Sequence, residues 1–328
     1  MPQNLITDVA GIRVGHADDV KLASGVTAVV FDRPVIASGD IRGGGPGTRE
    51  TDLLDPAMTV EKIDAIVLAG GSAFGLDAAS GTQAWLREQG RGFAMREALV
   101  PIVPSAILFD LLNGGDKKWG RYPPYRELGY TAAFAADTEF SLGSVGAGLG
   151  ALTLNLKGGM GSASDKLGDI TIAALTAVNP AGSVTVGDSG QVWAAPFEQN
   201  NEFGGRGFPH HVPAEALVPR TRGSSATNTT LSIVATDAIL TKAQARFLAV
   251  MAQDGIARAI YPVHTPLDGD SVFTVSTGVH RLGNPVFDLM RLGAIAANVV
   301  ARSVARGVYE ASALPFAGTQ PAYKDKFR

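Results

Sequence analysis

A mixed α/β fold is predicted by three features of the chain. Short runs rich in β-branched residues recur along its length, longer segments with apolar residues at helical spacing lie between them, and glycines gather in clusters rather than in a linker. The first strand expected is 25–32, Gly-Val-Thr-Ala-Val-Val-Phe-Asp, and the second is 64–68, Asp-Ala-Ile-Val-Leu. A glycine-rich turn, Gly70-Gly-Ser-Ala-Phe-Gly75, follows at once and opens a helical pattern over 74–87. Further strands are expected at 170–178, 183–187, 231–236 and 271–277, with helices over 242–257 and 286–306. In the last helix Phe287, Met290, Leu292, Ile295, Ala296, Val299, Val300 and Val304 form an apolar face, with Arg291, Arg302 and Arg306 elsewhere, as in a helix laid on a sheet. Between Ser189 and Asn228 the patterns lapse, and a stretch of that length is usually functional or disordered. Both halves it joins supply strands, so the chain reads as one composite domain.

Length and composition narrow the function. A chain of 328 residues, 45% hydrophobic and 18% charged, has a sizeable core and is not a disordered protein. Basic and acidic residues number 28 and 31, without blocks of like charge, which points away from nucleic acid and anionic membranes and toward a small-molecule partner. Cysteine is absent, so disulfides, cysteine–zinc sites and thiol nucleophiles are excluded, and a covalent nucleophile would be Ser, Thr or Lys. No basic region followed by an apolar stretch opens the sequence, and no window of about 18 apolar residues occurs, so a cytoplasmic protein is expected. The glycine clusters at 43–47, 70–75, 143–150 and 158–161 suggest loops converging on a site.

Candidate chemistry is concentrated in few places. Asn228-Thr229 ends the long loop and begins a strand-like run, and either of two readings fits it. Asn-Thr-Thr is ordinary turn chemistry before a strand. Alternatively, the Thr229 hydroxyl attacks the preceding carbonyl, and hydrolysis of the ester leaves an N-terminal threonine whose α-amine, titrating near about 8, serves as base for its own hydroxyl. Asp268-Gly-Asp270 is common turn chemistry too, but beside a threonine N-terminus its carboxylates would orient the nucleophile and help to move its proton. The turn around Ser72 resembles a phosphate cradle only weakly, since it lacks the Gly-Lys-Ser/Thr ending and the dinucleotide spacing. The five histidines have no metal-binding spacing.

Several segments together resemble the self-processing aminopeptidases related to the D-aminopeptidases and β-peptidyl aminopeptidases, peptidase family S58. They are Leu5-Ile-Thr-Asp-Val-Ala-Gly-Ile-Arg-Val-Gly-His16, Arg42-Gly-Gly-Gly-Pro-Gly-Thr-Arg-Glu-Thr-Asp-Leu, Leu68-Ala-Gly-Gly-Ser-Ala-Phe-Gly-Leu-Asp-Ala-Ala, Val103-Pro-Ser-Ala-Ile-Leu-Phe-Asp-Leu, Gly146-Ala-Gly, Lys157-Gly-Gly-Met-Gly-Ser-Ala-Ser and Val234-Ala-Thr-Asp-Ala238. The resemblance implies an αββα sandwich and cleavage just before the residue six positions ahead of Ala235, which is Thr229. The aminopeptidase branch cleaves at Gly-Ser, for which the chain offers Gly223-Ser224, but Thr229 fits the strand register and Ser224 does not. A threonine after Asn, with His-Thr-x-x-Asp-Gly-Asp downstream, is similar to the 6-aminohexanoate-oligomer (nylon oligomer) hydrolase branch.

That resemblance assigns Thr229 as nucleophile, Asp268 and Asp270 as orienting carboxylates, and Asn179 as an amide donor to the oxyanion. It places Phe109 where the family has a pocket Tyr, and Ser72 in the substrate pocket. The family's lysine falls near Asn155, so either Lys157 substitutes for it or the role is absent. The expectation is therefore a self-processing hydrolase cut into 1–228 and 229–328, with 189–228 as processing loop. It would need no cofactor or metal, and the resemblance implies a homo-oligomer, a tetramer. The expected substrates are linear amides such as 6-aminohexanoate oligomers. Alternatives are β- or D-aminoacyl peptides and amides, acyl transfer of the ornithine-acetyltransferase type, and a non-catalytic binding protein built on the glycine loops.

Overall fold

The computed structural model describes residues 3–222, 228–316 and 319–327. In chain order its strands and helices are β1 (Ile12–Asp19), β2 (Ser24–Ile41), β3 (Thr48–Arg49), β4 (Lys62–Ala69), α1 (Ala78–Glu88), β5 (Phe93–Met95), β6 (Ala98–Val100), β7 (Ser105–Ile107), α2 (Tyr125–Phe134), β8 (Gly159–Leu167), β9 (Ile170–Asn179), β10 (Thr229–Ala238), α3 (Lys242–Ala259), β11 (Ser271–His280), α4 (Pro285–Tyr309) and α5 (Tyr323–Lys326). Strands β5 and β6 form a separate hairpin, and the others share the hydrogen-bonded order β3-β7-β4-β2-β11-β10-β9-β8, with β1 paired to β2.

One long strand links two leaves. The first part of β2 pairs with β1 and β4, while Ile36–Ile41 pairs with β11. Its pairing with β4 shifts register between Val30 and Val35, a stretch that holds Pro34, which has no N–H to donate to a ladder. Alternation along the strands then defines three apolar layers. Val14, Val29, Phe31, Ile66 and Leu68 of one leaf meet Leu175, Leu231, Ile233, Phe273 and Val275 of the other. The opposite sides of the leaves are covered separately. Ala28, Val30, Ala65 and Val67 pack under α1 and α2, and Ile172, Ala174, Val234 and Val272 pack under α3 and α4. The layering is helix, sheet, sheet, helix, the αββα sandwich that the resemblance implies.

The predicted helices form close to their expected bounds, and caps set where two of them start. Thr241 Oγ1 accepts the Gln244 N–H at 3.2 Å while Gln244 Oε1 accepts the Thr241 N–H at 2.9 Å, a reciprocal cap. Asn284 Oδ1 caps Phe287 N at 3.3 Å, and Pro285 fills the first position of α4. The segment 183–187 is not a strand: it makes single bridges, Ser183 to Tyr261 and Thr185 to Val192, and reverses at Gly187, whose φ is +60°.

Two further expectations need correction. The segment after Ser189 is packed rather than structureless, with 3₁₀ turns at Ala195–Phe197 and Ala214–Leu217 and with Val192, Ala194 and Phe203 in the core under α4. Arg302 does not sit on an exposed side of α4. It is 1% exposed and is neutralised by Glu202 at 2.5 Å, so the loop is clamped to the helix. In the last glycine cluster, Gly161 serves packing: a Cβ there would lie 1.8 Å from Ser303 O, so glycine lets α4 approach β8.

Candidate active site

Thr229 is the first residue of β10 and faces Asn179, the last of β9, across an antiparallel ladder. Alternation puts Thr229 on the side of Leu231 and Ile233, and Asn179 on the side of Leu175 and Ala177, so both side chains enter the space between the leaves at one end. They are 3% and 0% exposed. Thr229 Oγ1 donates to Asn228 O at 2.5 Å, which holds the hydroxyl against the carbonyl of the peptide bond before it. The same oxygen accepts the Gly269 N–H at 3.0 Å. Only glycine allows that approach freely: a Cβ at 269 would stand 2.8 Å from Thr229 Oγ1.

The turn carrying Asp268 and Asp270 is built onto this junction. Asp270 Oδ1 accepts the Thr230 N–H at 2.7 Å, and Oδ2 accepts the His264 N–H at 3.1 Å and lies 2.9 Å from His264 Nδ1. Asp268 accepts from the backbone of Ala181 at 2.9 Å and from the Thr265 hydroxyl at 2.5 Å. Burial, and then the neighbouring Asp270 charge, raises the Asp268 carboxyl above its ordinary range. The glycines at 43–45 line the other side of the turn, where Gly45 N donates to Asp268 O at 2.8 Å and a Cβ on Gly43 would strike that oxygen.

Asn179 is oriented from three directions. Its Oδ1 accepts from Leu152 N at 2.9 Å and from Arg222 Nη2 at 3.4 Å, and its Nδ2 donates to Phe109 O at 3.1 Å. An amide nitrogen has two hydrogens, so this pattern leaves one N–H of Asn179 for another acceptor. Arg222 also donates from Nη2 to Asn228 Oδ1 at 2.8 Å. Burial lowers its guanidinium to about 10, against the opposing pull of Asp268.

The remaining expected residues cluster around this core at varying range. Lys157 is fully buried and donates to Gly148 O at 2.9 Å and Gly158 O at 2.8 Å. Burial lowers its amine to about 7, with Asp110 opposing the shift and Arg222 adding to it. Because Gly159 pairs with Val178, Lys157 lies at the same end of the sheet as Asn179. Asn155 faces away from it, donating to Thr185 Oγ1 at 3.1 Å. Phe109, half-buried, touches the site through its carbonyl, and Ser72, at φ +52°, donates its N–H to Leu108 O at 3.0 Å. The Ser72 turn and the Phe109 segment are pinned together by buried Asp110, which accepts from Gly71 N at 2.7 Å and Ser24 Oγ at 2.6 Å. Ser224 lies outside the described residues.

Arg222 was not foreseen, and Gly269, His264, Thr265 and Asp110, though they lie in the quoted motifs, were given no role. The Asp-Gly-Asp run hinted at Gly269, but one arginine in a loop carries no signal of its own. His16 is half-buried between Thr27 Oγ1 and Ser141 O, and desolvation lowers its imidazole to about 4 against the opposing bond to Ser141. Among the described residues no group of three or more His, Asp or Glu is arranged to hold a metal ion, and no helix is long and apolar enough to cross a membrane.

Comparison with known proteins fits this geometry. The model of peptidase family S58 matches residues 4–320. An uncharacterized aminopeptidase of Mycobacterium tuberculosis is 44% identical over 99% of this chain and 98% of its own length. A 6-aminohexanoate-oligomer endohydrolase of Paenarthrobacter ureafaciens is 29% identical over 89% of this chain and 82% of its own. Among solved structures, the L-aminopeptidase D-Ala-esterase/amidase of Ochrobactrum anthropi, described as a variant of the Ntn-hydrolase fold, superposes with a TM-score of 0.72 at 21% identity, covering 97% of this chain and 88% of that one. A Burkholderia sp. β-aminopeptidase gives 0.70 at 21% identity, covering 99% and 93%. With a family match from end to end and a relative of equal extent at 44% identity, the chain belongs to peptidase family S58 and is an amide-bond hydrolase of that family.

Proposed function

We propose that the protein is made as a single chain that cuts itself between Asn228 and Thr229, and that Thr229, as a new N-terminus, is the nucleophile of an amide hydrolase. The observation that carries this reading is the Thr229 hydroxyl resting on the Asn228 carbonyl oxygen, with the Gly269 N–H on that same oxygen. In the first step the Thr229 Oγ1–carbon bond forms and the carbon–nitrogen bond breaks, the hydroxyl proton passing to the leaving amine. The Gly269 N–H stabilises the negative charge that develops on the oxygen. Water then hydrolyses the ester, freeing the Asn228 carboxylate and the Thr229 hydroxyl and amine.

In the mature enzyme the same hydroxyl attacks the substrate amide. The Thr229 α-amine, titrating at about 8, takes the hydroxyl proton and gives it to the leaving amine, and water then hydrolyses the acyl-enzyme ester, releasing the acid and restoring the Thr229 hydroxyl. Asn179 contributes its uncommitted N–H to the oxyanion, while Asp268 and Asp270 hold the turn and the start of β10 that position the nucleophile. Lys157, the buried amine whose charge changes near neutral pH, stands in for the family's lysine. No cofactor takes part in these steps. Fragments 1–228 and 229–328 remain one domain, and the enzyme works as a homo-oligomer.

For substrate, the reading favours small linear amides such as 6-aminohexanoate oligomers, where Phe109 offers an apolar wall and each buried methylene contributes about 0.8 kcal/mol. It is supported by the relatives of that name at 29% identity. A second reading, release of β- or D-aminoacyl groups from peptides and amides, draws on the 44%-identical relatives, which carry the name aminopeptidase.

Intact-mass analysis tests the core of the proposal. The wild-type protein should convert into the two fragments and Thr229→Ala should stay whole, whereas Ser224→Ala should still be cut. Cleavage of Thr229→Ala at the wild-type rate removes Thr229 as the nucleophile. Product release from a 6-aminohexanoate dimer or trimer, compared with β-alanyl and D-alanyl amides, separates the two substrate readings. Efficient acetyl transfer to ornithine overturns both.

A further inference from the structure

We infer that Arg222 is a positioning residue for self-cleavage, clamping the Asn228 side chain so that the carbonyl of the scissile bond is held for attack. The inference rests on the self-processing reading above and goes beyond it by naming what selects this bond.

The guanidinium is fixed from both sides of the junction. Its Nη2 donates to Asn228 Oδ1 at 2.8 Å and reaches Asn179 Oδ1 at 3.4 Å, so one nitrogen touches the residue on the acyl side of the bond and the residue opposite Thr229. The Arg222 main chain is anchored as well, its N–H donating to Ala181 O at 3.0 Å. Ala181 in turn donates its own N–H to Asp268 Oδ1 at 2.9 Å, which ties the clamp to the turn that carries Gly269.

Asn228 is 2% exposed, and its carbonyl must aim at the Gly269 N–H while the Thr229 hydroxyl lies beside it. A side chain held by a charged donor removes the rotation about this residue that would spoil the alignment. Asparagine suits the position because it is short and offers a carbonyl oxygen to the guanidinium without adding a negative charge near Asp268 and Asp270. The competing role is purely electrostatic, with Arg222 neutralising buried Asp268 and acting on the fold alone.

A double-mutant cycle separates these roles. Precursors made by cell-free synthesis are followed over time for the appearance of the two fragments, in wild type, Arg222→Met, Asn228→Ala, the double variant and Thr229→Ala. A lost hydrogen bond to a charged donor is worth about ten- to a hundred-fold, and each single variant should slow cleavage by that factor. The double variant should be no slower than the slower single one, since both remove the same contact. The clamp is overturned if Arg222→Met cleaves at the wild-type rate or if the two effects multiply.

Melting of each variant in the uncleavable Thr229→Ala background reports the fold. If Arg222→Met melts lower there, Asn228→Ala decides, because it removes the other half of the clamp and leaves the buried charge in place: slowed cleavage supports the clamp and wild-type cleavage overturns it. Cleavage of Thr229→Ala itself would instead reject the underlying nucleophile assignment, whatever the Arg222 variants do.

Discussion

Replacing Gly269 with alanine puts a single methyl group against the hydroxyl of Thr229, the proposed nucleophile. The added carbon would lie 2.8 Å from Thr229 Oγ1, 2.8 Å from Gly45 O and 3.1 Å from Pro46 Cα. Ordinary contact is about 3.5 Å, so the hydroxyl and the 45–46 backbone must together give way by roughly 0.7 Å. The backbone side is tied, because Gly45 N donates to Asp268 O at 2.8 Å, which leaves the Thr229 side chain as the softer partner. Overpacking of this size costs about 1–3 kcal/mol of stability, and a reacting group displaced by about 1 Å loses on the order of a hundred-fold in rate. The Gly269→Ala precursor should therefore fold, melt a few degrees lower, and cleave up to about a hundred times more slowly by time-resolved intact mass. Cleavage of Gly269→Ala at the wild-type rate would show that Thr229 Oγ1 does not react from the position seen here.

Other perturbations read out the rest of the site. Asp270→Asn keeps size and turn propensity but removes the charge that receives the Thr230 N–H, and it should slow cleavage and turnover by about ten- to a hundred-fold. Normal turnover with an unchanged pH profile in both Asp268→Asn and Asp270→Asn would return the run to a turn-forming role. Lys157 carries a pH signature: its amine is lowered to about 7 when folded, against about 10.4 when unfolded. Between those values the unfolded chain binds a proton that the folded one does not. Stability then rises with pH from about 7 toward 10.4, by on the order of a few kcal/mol, and below about 7 the penalty is constant. Lys157→Met should abolish that rise in denaturant titrations, and an unchanged rise would assign it to another group. Fragments 1–228 and 229–328 should co-elute in gel filtration without denaturant, and their separation would reject a shared domain.

Strands β10 and β11 were legible because their chemistry is local. Runs such as Leu231-Ser-Ile-Val-Ala-Thr236 and Ser271-Val-Phe-Thr-Val-Ser-Thr277 have the β-branched content of buried strands, and they became β10 and β11. Strand β8 was missed, since Gly159-Met-Gly-Ser-Ala-Ser has weak strand propensity. Its glycines answer to the close approach of α4, a tertiary demand that leaves no local pattern. Strand β1 was missed for a similar reason: a Cβ on Gly15 would lie 2.0 Å from Ala132 O of α2. The site was legible to the extent that one motif held it. Asn228-Thr229 and Asp268-Gly-Asp270 could be read in place and Asn179 came from the resemblance, whereas the contact of Arg222 with Asn179 and Asn228 depends on a loop that returns to the end of the sheet.

The proposed location of the cut would let the protein sever its chain and keep its fold. Strand β10 is internal to the sheet, antiparallel to β9 on one side and parallel to β11 on the other, from Leu231 to Thr236. Over those residues both edges are satisfied by hydrogen bonds that do not involve the Asn228–Thr229 peptide, whose carbonyl takes only the Gly269 N–H and the Thr229 hydroxyl among the described residues. Upstream, the 189–222 segment has its own attachments, with Glu202 paired to buried Arg302 of α4 and Phe203 packed in the core. Arg302 belongs to the second fragment and Glu202 to the first, so this buried ion pair crosses the proposed cut. Breaking that one peptide bond would then release a chain end at Thr229 while the layers stay closed. The proposed nucleophile, at the start of an interior strand, would thus keep a rigid base.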